Sequence, residues 1–179
     1  MREVSFGQDG SVSAAGFESR YESELANDYG NLASRTIAMI ARYRDGVVPD
    51  AQPDPALAAD FDGLVAEVSE LLDDAEITQA LERIWQRVRR LNQYVEERAP
   101  WKQAKDPDAA ADLDITLATL AEGLRVTSLL LHAYMPTATA KLLDALAEPG
   151  RELAEFGSRG GGQTVGELAP LFPKLEPAK

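Results

Sequence analysis

The chain has 179 residues, with 18 Lys and Arg against 30 Asp and Glu, a formal net charge of −12, 45% hydrophobic residues, one histidine and no cysteine. A chain this long buries a sizeable core without a disulfide framework or a structural metal, and the missing cysteines exclude disulfide, thiolate and iron–sulfur chemistry. The single His132 excludes a multi-histidine metal site and leaves one ring for any Ser-His-Asp arrangement.

The opening Met1-Arg2-Glu3-Val4-Ser5-Phe6-Gly7 has no apolar run, so a secretory leader is not expected. Nowhere does the chain approach the roughly 18 consecutive apolar residues of a membrane span. The expectation is a soluble, cytoplasmic protein without a membrane partner. An acidic balance also speaks against DNA or RNA until the charges are located, because phosphate binding depends on a positive footprint.

Ser13 is placed to cap a long first helix running to about Tyr43. Phe17, Tyr21, Leu25, Leu32, Thr36, Met39 and Tyr43 recur at three-, four- and seven-residue steps and predict one inward stripe. Gly46 and Pro49 end it. Asp54 and Pro55 open a second helix, with Leu57, Phe61, Leu64, Val65, Val68, Leu71 and Leu72 inward. After a break at Asp73-Asp74, a third helix turns Ile77, Leu81, Ile84, Trp85, Val88, Leu91 and Val95 inward and stops before Pro100. Asp106-Pro107 repeats the cap-and-proline signature ahead of a fourth helix ending about His132, itself expected at the helix end. Met135-Pro136 opens a fifth, ending near Ala147. Beyond Pro149-Gly150 the pattern decays: Gly160-Gly161-Gly162 predicts a flexible or turning loop, and Leu171-Phe172-Pro173-Lys174-Leu175 an extended apolar segment in need of a surface. The predicted class is all-α, an antiparallel bundle of about five helices with an irregular, glycine-rich C-terminal tail.

Charge is polarised along this bundle. Residues 50–82 contain ten acids and no base, whereas 83–105 carry seven bases against Glu96 and Glu97. The third helix therefore presents Arg83, Arg87, Arg90, Tyr94 and Arg98 as one basic stripe with an aromatic residue set into it. Such a stripe suits a solvated face, a face neutralised against the acidic second helix, or a track for phosphates. Just past its end stand Pro100, Trp101 and Lys102.

Three stretches taken together resemble one family: Glu24-Leu25-Ala26-Asn27-Asp28-Tyr29-Gly30-Asn31-Leu32-Ala33-Ser34-Arg35, Asn92-Gln93-Tyr94-Val95-Glu96-Glu97-Arg98-Ala99-Pro100-Trp101-Lys102, and Pro170-Leu171-Phe172-Pro173-Lys174. In this order they are similar to the C-terminal anticodon-binding domain of bacterial methionyl-tRNA synthetase, a class I aminoacyl-tRNA synthetase. The opening Val4-Ser5-Phe6-Gly7-Gln8-Asp9-Gly10 resembles the segment that enters this domain. Synthetases for leucine, isoleucine, valine and cysteine share the helical domain, and the pair Asn31 and Arg35 favours methionine.

The resemblance implies that Asn31 and Arg35 bind the first anticodon base, a cytosine, that Trp101 stacks on a splayed base, and that Asn27 and Pro100 complete the pocket. Residue chemistry agrees, since amides and a guanidinium at four-residue steps share a helix face and can meet a base edge together. Single-stranded RNA is read by such stacking and edge contacts. Arg83, Arg87, Arg90, Arg98 and Lys102 would steer the phosphates. Residue by residue, other roles stand beside these: Trp101 as a cap over a helix end, and Arg35 paired with Glu24, Asp28 or a carboxylate of another helix. A helical protein-interaction domain without RNA binding is the alternative for the whole.

The resemblance further implies a division of the chain. Residues 1–12 would be the linker from a catalytic body, 13–147 the helical anticodon-binding domain, and 148–179 an extended tail packing back on that body. The family's catalytic half relies on a two-histidine signature, a lysine-rich loop and often a cysteine zinc knuckle, none of which this sequence contains. No cofactor or metal is therefore expected in this chain, and ATP and methionine would bind the catalytic domain. The implied partners are the anticodon loop of methionine tRNA and that catalytic domain, whether the chain is a fragment of the ligase or a free-standing domain.

Overall fold

A computed structural model of the chain describes residues 13–173. The expected linker of residues 1–12, and Lys174 and Leu175 of the closing segment, lie outside the described residues. In chain order the elements are α1 (Ala14–Arg20), a π-helical segment (Tyr21–Gly30), α2 (Asn31–Tyr43), α3 (Pro55–Phe61), α4 (Leu64–Asp73), α5 (Ile77–Arg98), α6 (Pro100–Gln103), a 3₁₀ turn (Pro107–Ala109), α7 (Ala110–Leu131) and α8 (Pro136–Ala145). An all-helical bundle is what the sequence predicts. Among the described residues the only strand-like feature is an isolated antiparallel bridge between Val47 and Thr164.

Helix starts follow the local chemistry. The Ser13 hydroxyl accepts from the Gly16 N–H, the Asp54 carboxylate from the Ala56 N–H and the Asp106 carboxylate from the Asp108 N–H, each satisfying one donor that a helix start leaves over. Proline stands at the start of α3, α6 and α8, where its missing N–H costs nothing. At its C-terminal end, His132 Nδ1 lies 2.8 Å from the Thr139 hydroxyl and ties α7 to α8.

Two helices depart from expectation. The first is continuous in direction but changes ladder: at its second junction the Asn31 N–H donates to the Ala26 carbonyl, five residues back. The shift rotates the inward face, so Phe17 is 65% exposed while Tyr29, Ala33, Ile37 and Ile40 join Leu32 and Thr36 in the interior. The second predicted helix is two, because Asp62 leaves the helical region and Gly63 turns left-handed at φ +68°. The break lets Phe61 and Leu64 both point inward.

Helix α7 is the axis of the bundle, with every residue from Thr116 to Leu131 buried. Burial on all sides is unusual for a helix in a small domain and requires neighbours all round. Helices α2, α5, α6 and α8 supply them. At Gly123 the backbone meets α5 so closely that a Cβ there would lie 2.5 Å from Leu91 Cδ2.

The tail closes the remaining side. Val48 and Gly162–Gln163 exchange backbone bonds: the Val48 N–H donates to the Gln163 carbonyl at 2.9 Å and the Gly162 N–H to the Val48 carbonyl at 2.8 Å. Gly161 is seated so tightly that a Cβ would come within 2.1 Å of the Pro49 carbonyl oxygen. Underneath, Arg125 (4% exposed) and Glu122 (6%) form a two-pronged ion pair with both N···O distances 2.7 Å. Glu122 also accepts from the Gly157 N–H, and Arg125 donates to the Ser158 hydroxyl, so the pair fastens the tail to α7. Leu171–Pro173 lies along this chain's own helices, where Tyr21 and Tyr29 offer Phe172 an aromatic seat.

Candidate nucleic-acid interface

The candidate residues gather where the π-helical segment, α2 and the α5–α6 corner meet. Helix α5 ends at Ala99, which adopts the left-handed conformation at φ +45°. A non-glycine residue there carries a strain of about 1–3 kcal/mol. Together with Pro100 it turns the chain sharply, and the four-residue α6 lays Trp101 back toward α2. Pro100 is buried, and Trp101 is half-buried against the core.

Arg35 on α2 reaches this corner. Its guanidinium carbon lies 5.7 Å from the centroid of the Trp101 ring, within the range of a cation–π contact. Its Nη2 donates to Glu96 Oε1 at 3.0 Å. Of the pairings open to Arg35, the structure thus shows the carboxylate of another helix. Guanidinium, indole and carboxylate hold one another in a fixed arrangement while Arg35 stays partly accessible.

Asn27 and Asn31 are both exposed and continue the ridge away from Arg35. They face a groove of about 640 Å³ whose near wall is Glu22, Ala26, Asn27, Gly30, Asn31 and Ser34 and whose far wall is Pro170–Pro173. The Asn92 amide donates to the Asp28 carbonyl at 2.9 Å and moors the π-helical segment to α5. Buried Tyr29 shares a 2.7 Å hydrogen bond with Ser128 of α7, and burial pushes its phenol well above the ordinary tyrosine value.

The basic stripe of α5 resolves into pairs. Arg83 bonds Glu67 of α4 at 2.7 Å, Arg90 bonds Asp60 of α3 at 2.9 Å and Glu97 at 3.1 Å, and Arg98 lies 3.4 Å from Asp112 of α7. Of the alternatives for the stripe, Arg83 and Arg90 follow neutralisation by the acidic second helical region. Tyr94, read as set into the stripe, is 2% exposed, sits beneath Arg90 and Arg98 and donates to Asp54. Arg87 Nε is buried with no hydrogen-bond partner. Lys102 is exposed.

Sequence reasoning did not single out Glu96, Asn92, Glu22 or Ser34. For Glu96 and Asn92 a signal exists: they are four apart on α5 and share the face that leads into Pro100-Trp101. Glu22 and Ser34 owe their place to the tail opposite, which local sequence does not disclose. Among the described residues, no group of three or more His, Asp or Glu could hold a metal, and no helix is long and apolar enough to cross a membrane.

The same backbone arrangement occurs in a solved structure of Mycobacterium tuberculosis methionyl-tRNA synthetase in its free state, which superposes with a TM-score of 0.92 at 34% identity over 99% of this chain and 38% of that one. The fold is thus that of a helical domain of an aminoacyl-tRNA synthetase. The sequence profile of the anticodon binding domain of methionyl tRNA ligase matches residues 46–158. Methionine–tRNA ligase of Streptomyces coelicolor is 42% identical over 98% of this chain, and that of Deinococcus radiodurans 41% identical over 99%. The chain belongs to the family of anticodon-binding domains of methionyl-tRNA ligase. It spans 36% of the length of the Streptomyces relative and 27% of the Deinococcus one.

Proposed function

We propose that the chain recognises the anticodon loop of methionine tRNA, as the anticodon-reading part of an enzyme that attaches methionine to that tRNA in the cytoplasm. The observation that carries this reading is the Arg35 guanidinium set over the Trp101 ring at 5.7 Å, with exposed Asn31 and Asn27 continuing the same ridge. Trp101 and Arg35 offer flat faces to an unpaired base, while the amides offer donors and acceptors to its edge. Asn31 and Arg35 together read the first anticodon base, and buried Pro100 fixes the height of the indole. The catalytic domain of the same ligase is the second partner. ATP and methionine bind there, not on this chain.

The phosphate track is narrower than five cations. Lys102 is exposed and adjoins Trp101, so it is the first contact for the backbone. Arg83, Arg90 and Arg98 contribute only by exchanging their carboxylates for phosphates, and Arg87 through its outer nitrogens.

The test is binding of a hairpin carrying the methionine anticodon loop. Trp101→Ala should weaken binding by about 1–3 kcal/mol, the range for one base–aromatic stack. Arg35→Ala should weaken it and reduce the preference for cytosine over uracil at the first position. Unchanged affinity in both variants would falsify the proposal.

A further inference from the structure

The RNA-reading ridge is built on an uncommon piece of backbone. π-Helical turns occur mostly as single bulges within α-helices, yet here ten residues, Tyr21–Gly30, keep that ladder up to Asn31. Such a segment persists when its surroundings hold it. Three elements distant in sequence do so: Ser128 of α7 through Tyr29, Asn92 of α5 through the Asp28 carbonyl, and the tail.

The tail makes the widest contact. Phe172 packs edge-on against Tyr21, with centroids 6.0 Å apart, and tilted against Tyr29 at 6.3 Å. Its ring covers Gly30, where an added Cβ would lie 3.2 Å from Phe172 Cδ2 and 3.0 Å from the Leu25 carbonyl oxygen. The Tyr21 hydroxyl donates to the Pro173 carbonyl at 2.8 Å, across 152 residues of sequence. The tail therefore grips both ends of the π-helical segment, and Asn27 lies between the two grips. Relaxation of the segment to an α-helical ladder would turn Asn27 about the helix axis relative to Asn31 and Arg35.

We propose that Phe172 and Pro173 are positioning residues for RNA recognition: by clamping Tyr21 and Gly30 they hold the π-helical register that sets Asn27 and Asn31 in line with Arg35 and Trp101. The proposal rests on the recognition reading above. Neither tail residue needs to touch the RNA; each acts through the backbone it braces. Hydrogen bonds weaken steeply as their alignment is lost, so loosening the segment is felt in selectivity as well as affinity.

The experiment uses the full 179-residue chain and two hairpins, one with cytosine and one with uracil at the first anticodon position. Phe172→Ala is expected to lower affinity for the cytosine hairpin about tenfold or more and to narrow the cytosine-to-uracil ratio. Phe172→Leu, which restores part of the contact, should recover part of both. Tyr21→Phe removes only the bond to the Pro173 carbonyl and should lower affinity and ratio by a smaller factor. A general loss of stability would reduce the amount of active protein without changing the ratio. Trp101→Ala and Arg35→Ala serve as controls on the recognition reading. If they weaken binding while Phe172→Ala and Tyr21→Phe keep the parent affinity and ratio, the positioning role is overturned. If the controls also bind like the parent, the recognition reading fails and the positioning role falls with it. Should Phe172→Ala fail to fold, Tyr21→Phe alone decides by the same two readouts.

Discussion

Arg125 and Glu122 fasten the 155–158 stretch of the tail to α7, and their energetics can be separated experimentally. Both charges are out of water, and their desolvation is offset by two parallel 2.7 Å bonds together with the Gly157 N–H and the Ser158 hydroxyl. Arg125→Met leaves a buried carboxylate without its counter-charge and should lower stability by about 3–5 kcal/mol in denaturant titration. Glu122→Leu combined with Arg125→Met should recover a large part of that loss, since the carboxylate left there, Glu148, keeps Arg159 as its counter-charge at 3.2 Å. A double variant as unstable as the sum of its single variants would show that the pair does not act as a unit. Gly161 has no such relief: the Pro49 carbonyl is backbone, so Gly161→Ala must displace the main chain and should release the 160–163 turn.

At the level of elements, the interfaces fall into those that sequence discloses and those it does not. Helix starts were legible because Ser13, Asp54 and Asp106 accept from N–H groups within three residues of themselves, and Pro136 opens α8 where a missing N–H costs nothing. The all-α class and the inward faces of α5 were legible for the same local reason. The π-helical segment was not, because its supports, Ser128, Asn92 and Phe172, are far from it in sequence. Nor was the break at Gly63, where the apolar pattern runs on through a turn that the backbone makes left-handed. In the candidate site, the four-residue spacing of Asn27, Asn31 and Arg35 could be read directly, whereas Glu96 as the partner of Arg35 depends on how α2 and α5 pack. The α5–α7 contact gives a prediction at this scale. Gly123→Ala places a methyl against the fully buried Leu91 and should cost about 1–3 kcal/mol, as overpacked cores do. Leu91→Val in the same chain should soften that penalty, read as a smaller fall in melting temperature.

For the molecule as a whole, charge and burial set how the solvent tunes it. A net charge of −12 repels RNA over most of the surface, and the acids are densest in residues 50–82, where Asp60 and Glu67 also hold Arg90 and Arg83. Binding should therefore weaken with added salt, but with a shallow slope, because Arg83, Arg90 and Arg98 of the stripe are already engaged by carboxylates and Lys102 is left to release counterions from phosphate. A slope corresponding to five or more phosphate contacts would mean that the arginine pairs of α5 open on binding. Alkali should act through Tyr29. Burial raises its phenol above the ordinary value of 10.0, so the neutral form is favoured in the folded chain. That contribution is complete below pH 10.0 and is lost as pH climbs through the raised value, so denaturation midpoints should fall above pH 10.0. Tyr29→Phe should flatten the decline.

The bond from Tyr21 to Pro173 is also a long-range closure of the chain. It brings two positions 152 residues apart to a single corner of the bundle. The residue that follows α1 and the last described residue of the tail therefore meet on one side of the bundle. Segments far apart in sequence but adjacent in space make the order of connection a matter of convenience for a bundle. A circular permutant, joined from the tail to α1 and opened at the exposed Asp74-Ala75 turn, should keep the α5–α7 packing and the Arg35–Trp101 contact.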